Sequence, residues 1–218
     1  VSVDISLQMA KINNIYSQEE IMKHSMLLLM AVVLFTSFLS AQTPALTLNG
    51  TTNYVGNYGD ILDMGLSDWS FQIWFKTTSP TAGLIGKSIY GSTAGRWGVH
   101  FAEGSPNTLR VLIQFTPAIT VELNAVKQQP GNTTWNDGAW HNVSVTCVRS
   151  GMLTMYLDGV YNTSTSVAAY SAFNLNSTGH FFIGAFGDAA GTAPQAGFFL
   201  NGSLDEARVW NRALTATE

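Results

Sequence analysis

Cysteine occurs once in the 218 residues, at Cys147, so no internal disulfide is available, and no Cys/His cluster has the spacing of a zinc site. Charge is also scarce: 10 Lys and Arg stand against 14 Asp and Glu, and no basic cluster interrupts the chain. Phosphate backbones are held by concentrated Lys and Arg, so nucleic acid is excluded as a partner. Carboxylate pairs are missing as well. Two carboxyl groups on one face of a strand need i, i+2 spacing, and no Glu-x-Asp or Glu-x-Glu occurs in residues 42–218. Glycoside hydrolysis needs two such groups about 5–5.5 Å or about 6.5–9.5 Å apart. The adjacent pair Asp205-Glu206 is expected to point to opposite faces. His100, His141 and His180 have no nucleophile-elbow motif beside them. His141 shares the apolar side with Val143 and Val145 and is expected to be a strand-end histidine with a hydrogen-bonded ring.

Long hydrophobic runs are limited to one, at 26–39, preceded by Met22-Lys23 and followed by Ser40-Ala41. At 14 residues it is shorter than the roughly 20 needed to cross a bilayer, and the charged start and small-residue exit predict a secretory leader over 22–41. No membrane span is expected in the mature chain. Residues 1–21 begin without Met, upstream of this leader, and are expected to be spurious or disordered sequence. At the other end, Leu214-Thr215 opens a turn near Glu218, and the chain is expected to continue into further domains. Residues 42–218 carry 11 acidic and 8 basic side chains, net −3, which is enough length for one sizeable core.

Within 42–218, period-2 alternation dominates and Thr, Val, Ile, Phe and Tyr favour strands; no amphipathic helix of useful length is present. Strands are expected at 45–48, 53–58, 70–76, 96–102, 109–115, 140–149, 153–157, 181–186 and 203–210. Without helices to cover their apolar faces, the stable arrangements are a two-sheet sandwich or a closed barrel, of which the sandwich is favoured. Val111, Ile113 and Phe115, then Val143, Val145 and Cys147, then Leu153, Met155 and Leu157 are the expected core faces. Turns are expected at 105–107, 130–132, 136–138, 150–151 and 158–159, where Gly and Asn supply positive φ. The small-residue segment 187–197 is expected to be a rim loop.

Three blocks carry a family resemblance. Residues 136–143, NDGAWHNV, are followed by 151–159, GMLTMYLDG, and by 202–214, GSLDEARVWNRAL; the strand at 69–76 and the opening at 45–50 fit in the same order. The chain resembles the laminin-G-like branch of the concanavalin A-like lectin/glucanase superfamily over most of 45–218. The resemblance implies an all-β, two-sheet antiparallel jelly-roll sandwich, and a secreted or cell-surface, non-catalytic module that binds carbohydrate. Its partner would be a polysaccharide or glycan, or an extracellular protein if the domain is adhesive or architectural. The glutamate-rich strand motif of the superfamily's glycanases is absent, which leaves a glycoside hydrolase of this fold as the weakest alternative. The style of the leader and domain points to a bacterial source.

Candidate ligand contacts follow from pattern. Trp74 interrupts the polar side of its strand, with Gln72 and Lys76 as same-face neighbours, although covered packing is the rival reading. Tyr90, Arg96, Trp97 and Trp135 are further expected rim contacts, whereas Trp140, Tyr156 and Trp210 are expected to be scaffold. The resemblance also implies one structural Ca2+, with Asp205 of the closing strand as a ligand beside carbonyls near Asn49. The rival reading has Asp205 capping backbone amides or pairing with Arg208 or Arg212. Asp60 and Asp63 are a further option for a cation. Sequons begin at Asn49, Asn132, Asn142, Asn162, Asn176 and Asn201 and matter only in a glycosylating host.

Overall fold

The computed structural model describes residues 45–56, 59–87, 95–102, 105–126 and 134–218. The expected leader, the segment before it, Tyr90 and the turn at 130–132 lie outside the described residues. Among the described residues there are twelve strands: β1 (Leu46–Asn49), β2 (Val55–Gly56), β3 (Trp69–Thr77), β4 (Ala82–Lys87), β5 (Arg96–Phe101), β6 (Leu109–Thr116), β7 (Ile119–Asn124), β8 (Trp140–Cys147), β9 (Met152–Leu157), β10 (Val160–Ser166), β11 (Phe181–Ile183) and β12 (Asn201–Trp210). A single 3-10 turn, Ala168–Tyr170, is the helical structure among the described residues, and none of their helices is long and apolar enough to cross a membrane. The strands form two six-stranded sheets, ordered β1-β12-β3-β8-β9-β10 and β2-β11-β4-β5-β6-β7. Neighbouring strands pair antiparallel throughout, as in the sandwich that the sequence predicts.

Nine of the twelve strands correspond to expected segments. Of the other three, β4 and β10 lack the alternation that marks a half-buried strand, whereas β7, ITVELN, has it and lies outside the expected segments. β4, AGLIGK, is buried along its whole length, so polar outward positions never appear. β10, VYNTSTS, is polar enough to resemble a loop, and β7 is the return arm of a hairpin with β6. The β9–β10 hairpin turns on Asp158 and Gly159, both with positive φ (51° and 77°), the geometry of a two-residue primed turn.

Inward residues of both sheets form one core. From β3, Trp69, Phe71, Ile73 and Phe75 are fully buried, and across the ladder Phe71 faces Val145 while Ile73 faces Val143. The expected core residues of β6, β8 and β9 are all buried. The sheets meet through an aromatic stack. Trp69 and Phe71 of β3 have ring centroids 5.5 Å apart, and Trp97 of β5, in the other sheet, lies 5.9 and 5.7 Å from them. Trp97 is therefore a core residue with no exposed surface, and its expected role as a rim contact is corrected. Its parity with Val99 and Phe101 turns it inward. Cys147 fills the same core, where burial pushes its thiol up to about 12.

Polar side chains close the periphery. Arg149 is buried beneath the 3-10 turn, its Nη2 donating to the carbonyls of Tyr170 and Phe173 while its guanidinium lies 5.0 Å from the Phe115 ring. A bulge between Tyr161 and Thr163 frees Asn162 from the β9 ladder. Its carboxamide then accepts from the Val126 N–H and donates to the Val126 carbonyl, both at 2.8 Å, linking β10 to the segment that leaves β7. Replacing Trp97 with Ala is expected to cost about 3–5 kcal/mol, the usual range for deleting a large core aromatic. Urea unfolding measures this, and an unchanged midpoint would contradict the placement of Trp97 in the core.

Candidate functional site

Strand β3 sends Phe71, Ile73 and Phe75 inward, so Gln72, Trp74 and Lys76 must stand on the outer face of the first sheet. Trp74 is 38% exposed there. The ladder fixes its neighbours: Trp74 lies between Asp205 of β12 and Asn142 of β8, Gln72 between Arg208 and Ser144, and Lys76 between Ser203 and Trp140. Because His141, Val143 and Val145 point inward, Trp140 points out, and it is 40% exposed rather than scaffold. Trp74 and Trp140 thus occupy opposite corners of a square whose other corners are Lys76 and Asn142. Diagonal cross-strand neighbours have backbones about 7–8 Å apart, within reach of one another's long side chains. The same face continues across β9 and β10, where half-buried Tyr156 meets exposed Tyr161 edge to face at 6.2 Å.

A bulge shapes the β12 border of this face. Asp205 opposes Trp74 and Arg208 opposes Gln72, so β12 advances three residues while β3 advances two. Strict alternation would place Asp205 and Arg208 on opposite faces; the extra residue returns both to the outer face. Glu206 takes up the irregularity with φ at 52°, an uncommon conformation for a residue other than glycine. Its N–H donates to Asp205 Oδ1 at 2.8 Å, and its carboxylate pairs with the Arg208 guanidinium. The expectation that Asp205 and Glu206 simply face opposite ways is corrected by this bulge.

Asn142 sits at the inner corner of the square and is 7% exposed. Its backbone N–H donates to Asp158 Oδ1 at 2.8 Å, and its side-chain oxygen accepts from Ser144 Oγ at 2.9 Å. The Nδ2 group is buried without a hydrogen-bond partner. Beside it, inside the sandwich, His141 is held at both nitrogens, Nδ1 by Asp158 at 2.8 Å and Nε2 by Asp137 at 3.1 Å. Those two carboxylates orient an imidazole rather than face each other across an open site.

The other expected contacts lie elsewhere. Trp135 is half-buried and packs edge-on against His141 at 5.1 Å, at the end of the core. Arg96 stands on the second sheet, 5.3 Å over the Phe186 ring. The segment 187–197 folds back through a Gly187–Pro194 bridge and an Asp188 N–H bond to the Ala193 carbonyl, and does not extend as a free rim loop. Its base, Phe186, covers His100 edge to face at 4.6 Å and packs on Phe198. Gly83 permits this cover, since a Cβ there would come within 2.3 Å of Ala185 backbone atoms. Of the five expected contacts among the described residues, then, only Gln72 and Trp74 share a face.

Cation ligands do not converge either. Asn49 pairs with Asn201, four residues from Asp205 along β12, a separation of about 13 Å. The Asn49 Oδ1 accepts the N–H groups of Thr51, Thr52 and Asn53, so it caps a turn. Asp205 and Asn49 therefore cannot ligate one ion together. Asp60 and Asp63 both pair with the fully buried Lys87 ammonium, which already supplies the positive charge that they were expected to gather. Among the described residues, no group of three or more His, Cys, Asp and Glu is placed to hold a metal ion.

His100 is held far below the usual histidine range, at about 3, first by burial and then by the Arg96 and Arg110 charges. Unfolded histidine titrates near 6.5, so below that pH the unfolded chain takes up a proton that the folded chain refuses until about pH 3. Stability present above pH 6.5 is expected to fall as pH drops through this window. Urea unfolding across it should show proton uptake that His100→Gln removes; an identical pH slope in the variant would contradict the burial of a neutral ring.

The family model Laminin_G_3, described as the concanavalin A-like lectin/glucanases superfamily, matches residues 49–218. No curated protein matches the sequence. Among solved structures, the chain is similar to the mouse laminin alpha1 chain, domains LG4-5, at 15% identity and a TM-score of 0.52, covering 79% of this chain and 44% of that one. It is also similar to the Ruminococcus gnavus IT-sialidase CBM40 bound to alpha2,3 sialyllactose, at 13% identity and a TM-score of 0.54, over 79% and 92% of the two chains. A third is the native heptameric SAP-like pentraxin from Limulus polyphemus, at 15% identity and a TM-score of 0.55, over 78% and 76%. The chain spans less than half of the laminin chain, and at these identities the likeness is one of fold.

Proposed function

Since this chain belongs to the laminin-G-like group of the concanavalin A-like lectin/glucanase superfamily, we propose that it is a secreted, non-catalytic module that binds extracellular or cell-surface carbohydrate on the outer face around Trp74. The observation that carries this reading is the pair of exposed indoles, Trp74 and Trp140, bordered by Gln72, Asn142, Asp205 and Arg208. Sugar rings present apolar C–H faces and a rim of hydroxyls. A flat aromatic surface edged by amides and charges offers both kinds of contact, whereas an enclosed pocket is unnecessary for a polymer.

The acidic groups of the face support binding rather than hydrolysis. Glycoside hydrolysis requires one carboxyl group to give a proton while a second attacks or activates water. Here Glu206 is paired with Arg208, and Asp205 accepts the Glu206 amide, so both carboxylates are committed to the bulge. The carbohydrate-binding module from Ruminococcus gnavus, whose structure holds sialyllactose, supports a glycan as the ligand class. The leader expected at 22–41 supports export.

A glycan array that presents plant, algal, microbial and host glycans tests the reading. Selective binding is expected, and Trp74→Ala should weaken it about tenfold or more, the scale of losing a central aromatic anchor. Silence across the array overturns carbohydrate binding in favour of a protein-binding sandwich.

A further inference from the structure

Resting on the carbohydrate reading above, the geometry points to an uncharged polysaccharide, gripped along its length across both Trp74 and Trp140, as the ligand of this face. Acidic glycans are selected by cations with free hydrogen-bonding edges, above all by arginine forks that meet a carboxylate or sulfate bidentately. On this face the single arginine, Arg208, is already paired with Glu206. Among the described residues of β3 and β12 on this face, the charges of Lys76, Arg208, Asp205 and Glu206 cancel, and Asp205 stands directly beside Trp74. Elsewhere, Arg110 is paired with Glu122, Arg212 with Glu218 and Lys87 with two aspartates, so these cations are engaged too. A net charge of −3 over 42–218 adds repulsion to any approaching polyanion.

The contacts that remain suit neutral hydroxyls. Gln72 and Ser144 face each other across the β3–β8 ladder, next to the tryptophan square. Ser144 Oγ donates its proton to Asn142 Oδ1, so its oxygen is left to accept from a sugar hydroxyl, a contact that needs no charge on the ligand. The two indoles stand on different strands, two residues out of register, so successive units of one chain engage them in turn. One sugar alone reaches one indole. A short saccharide therefore gives up half of the stacking.

Titration calorimetry with the intact chain tests this on neutral probes (β-glucan, xylan, mannan and galactan, each with its oligosaccharides and monosaccharide) and acidic probes (polygalacturonate, a sulfated galactan and sialyllactose). At least one neutral polymer is expected to bind, with an affinity that is unchanged between low and high NaCl. Its oligosaccharides should bind about tenfold or more tightly than the monosaccharide, and Trp140→Ala should weaken polymer binding about tenfold with an unaltered melting temperature. Trp140→Phe, which keeps a flat ring, should recover part of the affinity. Preferential binding of an acidic probe that weakens with salt overturns the inference and leaves the carbohydrate reading standing. So does a monosaccharide that binds as tightly as its polymer, or a Trp140→Ala variant with unchanged affinity. Failure of every probe, neutral and acidic, overturns the carbohydrate reading itself.

Discussion

The stack of Trp69, Phe71 and Trp97 is the contact on which the rest of the sandwich depends, because it is where β3 of one sheet meets β5 of the other. Two antiparallel sheets share one interior only if their inward residues interdigitate, and large flat rings bury more area per position than any aliphatic residue. No disulfide assists, since the single cysteine is itself a buried core residue. Once β3 is seated by its four inward aromatic and aliphatic side chains, its register with β8 and β12 follows. A slip of one residue would exchange Trp69, Phe71, Ile73 and Phe75 for Ser70, Gln72, Trp74 and Lys76 in the core.

The outer face inherits its order from that interior. Trp74 is exposed because Ile73 and Phe75 are not, and Trp140 because His141 and Val143 are not. The bulge in β12 breaks this parity beside Trp74, and it gathers Asp205, Glu206 and Arg208 against Gln72 and Trp74. Bulges commonly re-aim side chains beside functional surfaces. Here the local strain at Glu206 accompanies a carboxylate–guanidinium pair and a side-chain cap, so the irregularity is tied down from both sides.

Much of the sandwich was legible from alternation alone: the inner faces of β3, β6, β8 and β9, and the glycine turns that join them. The outward position of Trp74 was legible for the same reason. Trp97 lies in the core, as its alternation with Val99 and Phe101 argues, and not at the rim beside Arg96. The exposure of Trp140 was implicit once His141 was placed on the apolar side. Contacts set by long-range pairing were not legible. The Lys87 ammonium between Asp60 and Asp63 joins groups 24 and 27 residues apart. The β12 bulge turns on positive φ at a glutamate, a conformation that residue type does not announce. Asn49 and Asp205 were paired by resemblance, and only the β1–β12 register shows the distance between them.

Asn162 has a consequence that reaches beyond the single chain. A strand at the border of a sheet displays unpaired N–H and C=O groups, and another molecule can add its own strand there. β10 is such a border strand, rich in Thr and Ser, with no charged side chain to repel a visitor. The Asn162 carboxamide offers the same donor and acceptor as a peptide group and spends both on Val126. It thus stands in for one residue of a missing strand and ties the margins of the two sheets together. That one amide works against edge-to-edge pairing with a second molecule.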